Sequence, residues 1–279
     1  MPELAEVETT RLGILPHIQG KVIAKIIIRQ HQLRWPVPRE LMTLLPGKQF
    51  TTVQRRGKYL LFSTDSGTMI VHLGMSGCLR IVNVDEPVRK HDHVDIIFET
   101  GGCLRYTDPR RFGSIHWTTA DTNQHKLLRQ LGPEPLSSAF NPRYLLRQAQ
   151  NRRVCIKTFI MNSQIVVGVG NIYATESLFR AKIHPLQIAA DLSEQQAQLL
   201  VQSIKNVLRA AIKQGGTTLR DFRKSDGRPG YFRQHLQVYG KAGKLCSVCS
   251  TQLKLLRINQ RSTVFCPKCQ PIRAQARNS

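Results

Sequence analysis

The chain has 279 residues, of which 41% are apolar, enough to bury the cores of two domains. Its 41 Lys and Arg against 18 Asp and Glu give a formal net charge of +23. No apolar run is long enough to cross a membrane, and the first residues lack the layout of a signal peptide. These features argue against a membrane partner and predict a cytoplasmic protein.

The positive charge is concentrated towards the C-terminus. Sixteen basic and two acidic residues lie from residue 201 onward. A concentrated field of one sign favours a polyanionic partner, because each neutralised phosphate releases counterions. An anionic membrane surface is the alternative, but no segment has the pattern of a basic amphipathic anchor. The charge therefore predicts binding to a nucleic acid.

The first segment is predicted to be an amphipathic helix. Leu4, Val7, Ile14 and Ile18 fall at helical spacing. Strand-forming runs separated by glycines follow in residues 21–118, which indicates an antiparallel β-sandwich or barrel. The runs are 22–28, 59–62, 69–73, 94–98 and 114–117.

The second half of the chain changes to helical patterns. Ser193 with Gln196 has the spacing of a capping box at the start of the last one. Residues 215–231 are predicted to form a short helix and a mobile loop. The helical patterns cover 141–150, 154–161, 171–181 and 193–214.

Four of the seven cysteines form two Cys-x2-Cys pairs near the C-terminus. Sixteen residues separate Cys246 and Cys249 from Cys266 and Cys269. Two such pairs supply four thiolates at the corners of a tetrahedron, the ligand set of structural Zn²⁺. Four unligated cysteines are the alternative, which this spacing disfavours. We predict one closed zinc site on a β-hairpin, in residues 234–270, that is too small to fold alone.

Four sequence blocks, together with this cysteine module, resemble the formamidopyrimidine-DNA glycosylases. The resemblance runs in order from residue 2 to about 270. Ala5 departs from it, since the family usually has proline there, but the change removes no reactive group. The blocks are MPELAEVET (1–9), HLGMSG (72–77), YTDPRRFG (106–113) and GVGNIY (168–173).

The resemblance implies an α+β fold and a monomer. An N-terminal helix and an antiparallel β-sandwich would form a catalytic domain. A helical helix-two-turn-helix domain with a lesion-capping loop would follow a linker, and a zinc-ribbon β-hairpin would come next. The implied boundaries are 1–120, a linker at 121–138, 139–232, the zinc finger at 233–270 and a disordered tail at 271–279.

The resemblance makes Pro2 the nucleophile of a bifunctional DNA glycosylase and AP lyase. Removal of Met1 would leave a secondary amine whose pKa of about 8 gives a larger neutral fraction at pH 7 than a lysine has. Such an amine attacks C1′ of a damaged nucleoside and leaves an iminium, which permits β-elimination. On composition alone, Pro2 would be an ordinary proline at a helix start.

Three more residues complete the implied catalytic set. Glu3 is the acid/base that handles protons on the sugar, and Glu6 matches a supporting carboxylate. Lys58 assists elimination and contacts phosphate, and Arg261 assists δ-elimination. Judged by residue type alone, the glutamates would serve the helix dipole and Lys58 would be a solvated lysine at a strand end.

A base has to leave the duplex before its C1′ can be attacked. By the resemblance, Phe112 wedges between base pairs, Met75 fills the vacated position and Arg110 binds the orphaned base, favouring cytosine. A core methionine and a buried aromatic are the alternatives. The sequence Asp108-Pro109 instead indicates an exposed turn that presents Arg110 and Phe112.

Four other residues, His91, Arg152, Lys157 and Asn171, match positions at which the family contacts DNA. Asn171 opens a helix after a glycine turn, a place where backbone amides bind phosphate. Ordinary surface charge is the alternative for the other three. Residues 224–231 resemble the lesion-capping loop. The implied partner is double-stranded DNA with oxidised bases or abasic sites.

Two other functions stay open. An endonuclease VIII-like glycosylase for oxidised pyrimidines shares Pro2 and Glu3, although Met75, Arg110 and Phe112 favour oxidised purines (8-oxoguanine and formamidopyrimidines). A non-catalytic zinc-ribbon DNA-binding protein would use only the basic C-terminal region.

Overall fold

The structure, a computed structural model, describes residues 2–217 and 232–272. The chain divides into two compact units. The first contains Met1–Gln130 and Ile212–Arg233, and the second contains Leu131–Ala211 and Gln234–Ser279. The predicted capping loop at 224–231 and the tail from residue 273 lie outside the described residues.

The first unit begins with helix α1 (Leu4–Ile18). The four apolar residues predicted to face a core, Leu4, Val7, Ile14 and Ile18, are each at most 1% exposed. The helical spacing read from the sequence is therefore confirmed. Pro2 precedes the helix and Glu3 is its N-cap residue, so the predicted nucleophile and acid/base both lie at the helix entrance.

Antiparallel strands follow α1, with the short helix α2 (Leu41–Leu44) after the first of them. They are β1 (Ile23–Ile28), β2 (Thr52–Arg56), β3 (Tyr59–Ser63), β4 (Thr68–His72), β5 (Cys78–Asn83), β6 (Asp92–Phe98), β7 (Gly102–Thr107) and β8 (Ser114–Thr118). One sheet has the order β1-β6-β7-β5 and the other β2-β3-β4-β8. Side chains from both sheets and from α1 share one buried cluster, as in the predicted β-sandwich.

Strands β2, β5 and β7 were not among the predicted runs. Strand β7 carries Arg105, which is 1% exposed and interrupts the apolar pattern. Its Nε and Nη2 donate to the two carboxylate oxygens of Asp95, both at 2.9 Å, from the neighbouring strand β6. A buried arginine is tolerated here because it is paired with a carboxylate. A pattern of apolar residues does not reveal such a pair, so the strand was not predicted.

The second unit is helical, with α3 (Pro142–Ala149), α4 (Ile156–Ile160), α5 (Asn171–Arg180) and α6 (Glu194–Lys213). Each falls within a predicted helical range. The capping box before α6 is present, since Ser193 N donates to Gln196 Oε1 and Gln196 N donates to Ser193 Oγ, both at 3.2 Å. Local capping thus sets the start of the longest of these helices.

The cysteine module is a hairpin of β9 (Lys254–Ile258) and β10 (Arg261–Phe265) in antiparallel register. Val264 and Leu253 from the module share a buried cluster with Phe179 of α5. The hairpin therefore packs on the helical part of the same unit. Within the described residues, no helix combines the length and apolarity that a membrane span requires.

Candidate active site and nucleic-acid interface

The N-terminal residues are held in a buried environment. Pro2 is buried and Glu3 is 3% exposed. The Glu3 N–H donates to Glu6 Oε2 at 2.9 Å, and the Glu3 carbonyl accepts the first helical bond from Val7 N at 3.1 Å. The backbone next to Pro2 is therefore fixed by the start of α1.

Lys58 lies in the two-residue turn between β2 and β3, where Gly57 has φ of +59°. The side chain of Lys58 is partly exposed. Strand pairing places Tyr59 opposite His72, and their rings are 4.8 Å apart between centroids. The turn thus places the predicted catalytic lysine next to the end of β4.

His72 is a functional candidate that the residue-by-residue sequence reasoning missed. Burial, followed by the charges of Lys58 and Arg34, lowers the pKa of His72 to about 4. Its Nδ1 accepts the Gly74 N–H at 3.0 Å, so the neutral ring carries its proton on Nε2. His72 is therefore a neutral hydrogen-bond donor near two cations. The signal was its position at the start of the HLGMSG block.

The loop with Arg110 and Phe112 is held by the fully buried Asp108. Asp108 Oδ1 accepts from Ser76 Oγ at 2.7 Å, and Oδ2 accepts from Gly113 N at 2.8 Å. Ser76 Oγ in turn accepts the Arg110 N–H at 3.2 Å. One carboxylate and one hydroxyl therefore join the 74–76 loop to the 108–113 loop.

The predicted exposed turn is present. Phe112 is 47% exposed, and the Arg110 guanidinium carbon lies 4.9 Å from its ring centroid. Met75 is partly buried. A Cβ on Gly74 would lie 2.3 Å from Gly113 N, so only glycine permits this close approach of the two loops. The geometry brings the three predicted insertion residues onto two adjoining loops.

His91 lies beside the same loops. Its carbonyl accepts the Asp108 N–H at 3.0 Å, and its ring is partly exposed. His93 holds the carbonyl group of Asp108, since the His93 Nε2 lies 2.8 Å from the Asp108 carbonyl oxygen. Both the N–H and the carbonyl of Asp108 are therefore bound, by His91 and His93 respectively. The His91 side chain remains partly exposed at the surface.

The predicted contacts in the second unit differ in exposure. Arg152 and Arg261 are exposed, whereas Lys157 is 1% exposed. Lys157 Nζ donates to Asn171 Oδ1 and Thr263 Oγ1, both at 2.6 Å. Lys157 and Asn171 lie together, and the lysine links α4, the first residue of α5 and the zinc hairpin.

Glu176 was also missed by the sequence reasoning. It lies within α5, is fully buried, and accepts the backbone N–H groups of Gln237, Val238 and Tyr239 at 2.9–3.1 Å. A glutamate among apolar helix positions was the available signal, since a buried carboxylate has to find donors. It fixes the backbone that leads into the zinc module.

The geometry of the four cysteines fits a tetrahedral metal site. The Sγ atoms of Cys246, Cys249, Cys266 and Cys269 all lie within 4.8 Å of one another. Zinc–sulfur bonds of about 2.3 Å in a tetrahedron place sulfurs about 3.8 Å apart. The Cys246–Cys269 pair lies at 3.9 Å and the Cys249–Cys266 pair at 3.4 Å. The site holds one structural Zn²⁺, which closes the hairpin.

Three family models match the chain in order. They are the formamidopyrimidine-DNA glycosylase N-terminal domain over residues 1–115, the formamidopyrimidine-DNA glycosylase H2TH domain over 131–223, and the zinc finger found in FPG and IleRS over 243–272. The β-sandwich, helical unit and zinc hairpin therefore define a DNA-repair glycosylase architecture.

The match extends over whole relatives. The formamidopyrimidine-DNA glycosylase of Saccharophagus degradans is 54% identical over 270 residues, 97% of this chain and 100% of the relative. That of Hydrogenovibrio crunogenus is 55% identical over 270 residues, 97% of this chain and 96% of the relative. The chain belongs to the formamidopyrimidine-DNA glycosylase family.

Solved structures agree in fold. A point mutant of Lactococcus lactis FPG with Fapy-dG-containing DNA has a TM-score of 0.90 at 36% identity, covering 97% of this chain and 100% of that one. Lactococcus lactis Fpg with abasic-site DNA has a TM-score of 0.89 at 36% identity, and the match covers 96% of this chain and 99% of that one. MutM with DNA containing carbocyclic 8-oxo-G has a TM-score of 0.89 at 36% identity, and the match covers 97% of this chain and 100% of that one. The α+β fold predicted from the sequence is confirmed.

Proposed function

We propose that the chain is a bifunctional DNA glycosylase and AP lyase that excises 8-oxoguanine and formamidopyrimidines from duplex DNA. The observation that supports this most is family membership over 97% of the chain, with Pro2 and a buried Glu3 at the entrance of α1. Its structural relatives contain DNA with Fapy-dG, carbocyclic 8-oxo-G or an abasic site. The same three kinds of DNA are the substrates proposed for this chain.

Pro2 is the proposed nucleophile. Once Met1 is removed, its secondary amine has a neutral fraction at pH 7 about a hundredfold larger than that of a lysine. The amine nitrogen bonds to C1′ as the base leaves, and the resulting iminium acidifies the C2′ hydrogens. Glu3, held by its own backbone bond to Glu6, moves protons on the opening sugar.

Strand cleavage then follows by β,δ-elimination. Lys58 in the β2–β3 turn is proposed to assist β-elimination and to contact phosphate, and the exposed Arg261 to assist δ-elimination. Neutral His72 supplies an Nε2–H donor beside Lys58. It adds no positive charge to those of Lys58 and Arg34. These residues bind and orient the phosphates around the reacting sugar.

Opening of the duplex is assigned to the two joined loops. Phe112 is already exposed, so its ring wedges between base pairs without leaving a core. Arg110 is proposed to hydrogen-bond the orphaned base and Met75 to fill the vacated position. A bidentate arginine contact discriminates between bases by about 1–3 kcal/mol. This supports preference for cytosine opposite the lesion.

The remaining roles in DNA binding are proposed for His91, Arg152, Lys157 and Asn171, of which Lys157 acts indirectly. Because Lys157 is buried against Asn171 Oδ1, its contribution is to hold Asn171 and the hairpin in place for phosphate binding. We place the enzyme, as a monomer, in the cytoplasm on nucleoid DNA. This is where double-stranded DNA with oxidised purines would be encountered.

Borohydride trapping tests the proposal. Wild-type protein mixed with a duplex that contains 8-oxoguanine opposite cytosine is expected to form a covalent adduct on reduction. Peptide mass spectrometry should place that adduct on Pro2, and Pro2→Gly should lose most of the trapping. Preferential trapping on thymine glycol would favour the oxidised-pyrimidine alternative. Absence of any adduct, or full activity with Met1 retained, would overturn the nucleophile assignment.

A further inference from the structure

A cluster of three charged side chains connects α1 with β2 in the first unit. Glu8 lies on α1, and its carboxylate accepts from Arg11 Nη2 at 2.7 Å and from Arg55 Nε at 3.0 Å. The side chains of Glu8 and Arg55 are only 16% and 11% exposed. Hydrogen bonds that involve ionised groups are roughly twice as strong as neutral ones. The carboxylate therefore ties Arg55, which lies on β2, to the helix.

Glu8 is ionised at neutral pH. Burial by itself would raise the pKa of its carboxyl group, but the hydrogen bond and charge of Arg11, followed by the charge of Arg55, lower that pKa below its usual value. Arg11 also reaches β2, where its Nη1 donates to the Val53 carbonyl at 3.2 Å. Two guanidinium groups thus link one carboxylate on α1 to the backbone of the first hairpin.

The second bond of Arg55 reaches the turn that carries Lys58. Its Nη1 donates to the Gly57 carbonyl at 3.0 Å. Gly57 has φ of +59°, whereas Lys58 does not have a positive φ, which is the pattern of a type II′ turn. Types I′ and II′ differ by a rotation of the peptide group between the two central residues. The Gly57 carbonyl belongs to that peptide group, so the bond from Arg55 fixes its orientation.

The orientation of this peptide group sets the direction of the Lys58 side chain, because rotating the group changes the φ angle of Lys58. At the other end of the connection, α1 has Glu3 as its N-cap residue and Pro2 directly before it. The Glu8–Arg55 pair therefore connects the helix entrance that carries the proposed nucleophile with the turn that carries the proposed lysine.

From these contacts we propose that Glu8 and Arg55 are positioning residues for Lys58. They hold the turn in its type II′ form and fix it relative to α1, so that the ammonium stays where it assists β-elimination. Both side chains are largely buried against protein and act through the turn, not by contact with DNA. This inference rests on the proposed function, in which Lys58 assists β-elimination, and deepens it by naming the residues that place the lysine.

A double-mutant cycle tests the inference. Arg55→Met keeps the apolar stem and removes both bonds, and Lys58→Met removes the ammonium. Strand cleavage is measured in single turnovers on a duplex with a preformed abasic site. We expect Arg55→Met alone to slow cleavage about tenfold, equivalent to ~1.4 kcal/mol in the barrier. In the Lys58→Met background the same change should slow cleavage by no more than about twofold, because the lysine that it would position is gone.

The release of the damaged base provides a second readout. It is measured on a duplex with 8-oxoguanine after alkali treatment, which also cleaves abasic sites that the enzyme has left intact. We expect Arg55→Met to keep this rate within about twofold of wild type, because the start of α1 holds Glu3 by its own backbone bonds. Glu8→Ala removes the other half of the pair and should show the same split between base release and strand cleavage.

Arg11→Met is the matched control. Arg11 bonds to the same carboxylate, but its backbone acceptor is Val53 on β2 and not the turn residue Gly57. Both rates of this variant should therefore stay within about twofold of wild type. Melting temperatures of all variants are measured alongside. If Arg55→Met does not fold, Arg55→Gln has a side chain too short to join Glu8 to Gly57 and has to show the same split.

Four outcomes would overturn the inference. They are wild-type cleavage of abasic sites by Arg55→Met, equal slowing of base release and strand cleavage, full retention of the Arg55→Met effect in the Lys58→Met background, and the same split in Arg11→Met. A Lys58→Met variant that cleaves abasic sites at the wild-type rate would instead contradict the function proposed for Lys58 itself.

Discussion

At the scale of single residues, burial and then two nearby cations decide the protonation of His72. Burial and the charges of Lys58 and Arg34 lower the pKa of His72 to about 4 in the folded protein, whereas an unfolded histidine titrates at about 6.5. Between these values the unfolded chain binds a proton that the folded chain does not. The stabilising contribution is therefore present above about pH 6.5 and is lost as the pH falls towards 4.

This sign gives a measurable pH dependence. At pH 5 the difference in proton binding costs the folded state about 2 kcal/mol relative to neutral pH. In His72→Asn, the side-chain oxygen still accepts the Gly74 N–H, but nothing titrates. We expect the free energy of unfolding, measured with urea at pH 7.5 and pH 5, to fall about 2 kcal/mol less in the variant.

His116 also lowers stability at low pH, but its effect does not disturb that experiment. Its pKa is also lowered to about 4, by burial and by His125 and Lys126. Because His116 is present in both proteins, its contribution cancels in the difference. Equal losses of stability in wild type and His72→Asn would contradict the assigned protonation of His72.

At the scale of secondary-structure elements, sequence patterns predicted the features that depend only on nearby residues. The α1 face and the Ser193 cap depend on neighbouring positions, so spacing was enough to predict them. Strand β7 was missed because the buried Arg105 is stabilised by partners outside its own strand, among them Asp95, ten residues away on β6. The role of Glu176 was hidden for the same reason, since its partners come from a distant part of the chain.

The site shows the same division. The cysteine spacing predicted the metal ligands directly, and the structure brings their sulfurs within 4.8 Å. The roles of Pro2 and Lys58 came from resemblance, because a helix-start proline and a turn lysine are common residues. Burial of Lys157 could not be read from its position in a short helical run, where an exposed charge is the ordinary expectation.

Lys157 leads to a prediction about how elements are joined. Lys157→Met keeps the length of the side chain but leaves Asn171 Oδ1 and Thr263 Oγ1 without their donor. We expect a loss of about 1–3 kcal/mol in unfolding free energy, mainly because the buried Thr263 Oγ1 loses its donor, while Asn171 is only partly buried. We also expect about tenfold weaker binding to abasic-site DNA, because Asn171 and the strand bearing Arg261 lose a common anchor.

The exposed Lys244 provides the control, since Lys244→Met removes the same charge without uncovering a buried acceptor. Stability is followed by thermal unfolding and binding by fluorescence anisotropy. A Lys157→Met variant that binds DNA poorly at unchanged stability would show a direct phosphate contact instead of an anchor between α4, α5 and β10.

At the scale of the whole molecule, charge is distributed unevenly between sequence regions. Sixteen basic residues against two acidic ones lie from residue 201 onward, within a total of +23. Such a field attracts DNA of any sequence and supplies affinity without lesion specificity. Lesion specificity therefore has to come from other contacts, and the exposed Phe112 is proposed to supply one of them by wedging between base pairs. Salt should therefore weaken binding to damaged and undamaged DNA alike.

The salt dependence also tests individual phosphate contacts. Each neutralised phosphate contributes about 0.9 to the slope of log K against log salt concentration. If Arg152 contacts phosphate as proposed, Arg152→Gln should reduce that slope by about 1 and weaken binding equally on lesion-containing and undamaged duplexes. Arg39→Gln, the same charge change at another exposed arginine with no assigned DNA contact, should keep the wild-type slope. Equal slopes for the two variants, from anisotropy titrations over a severalfold range of salt concentration, would remove Arg152 from the interface.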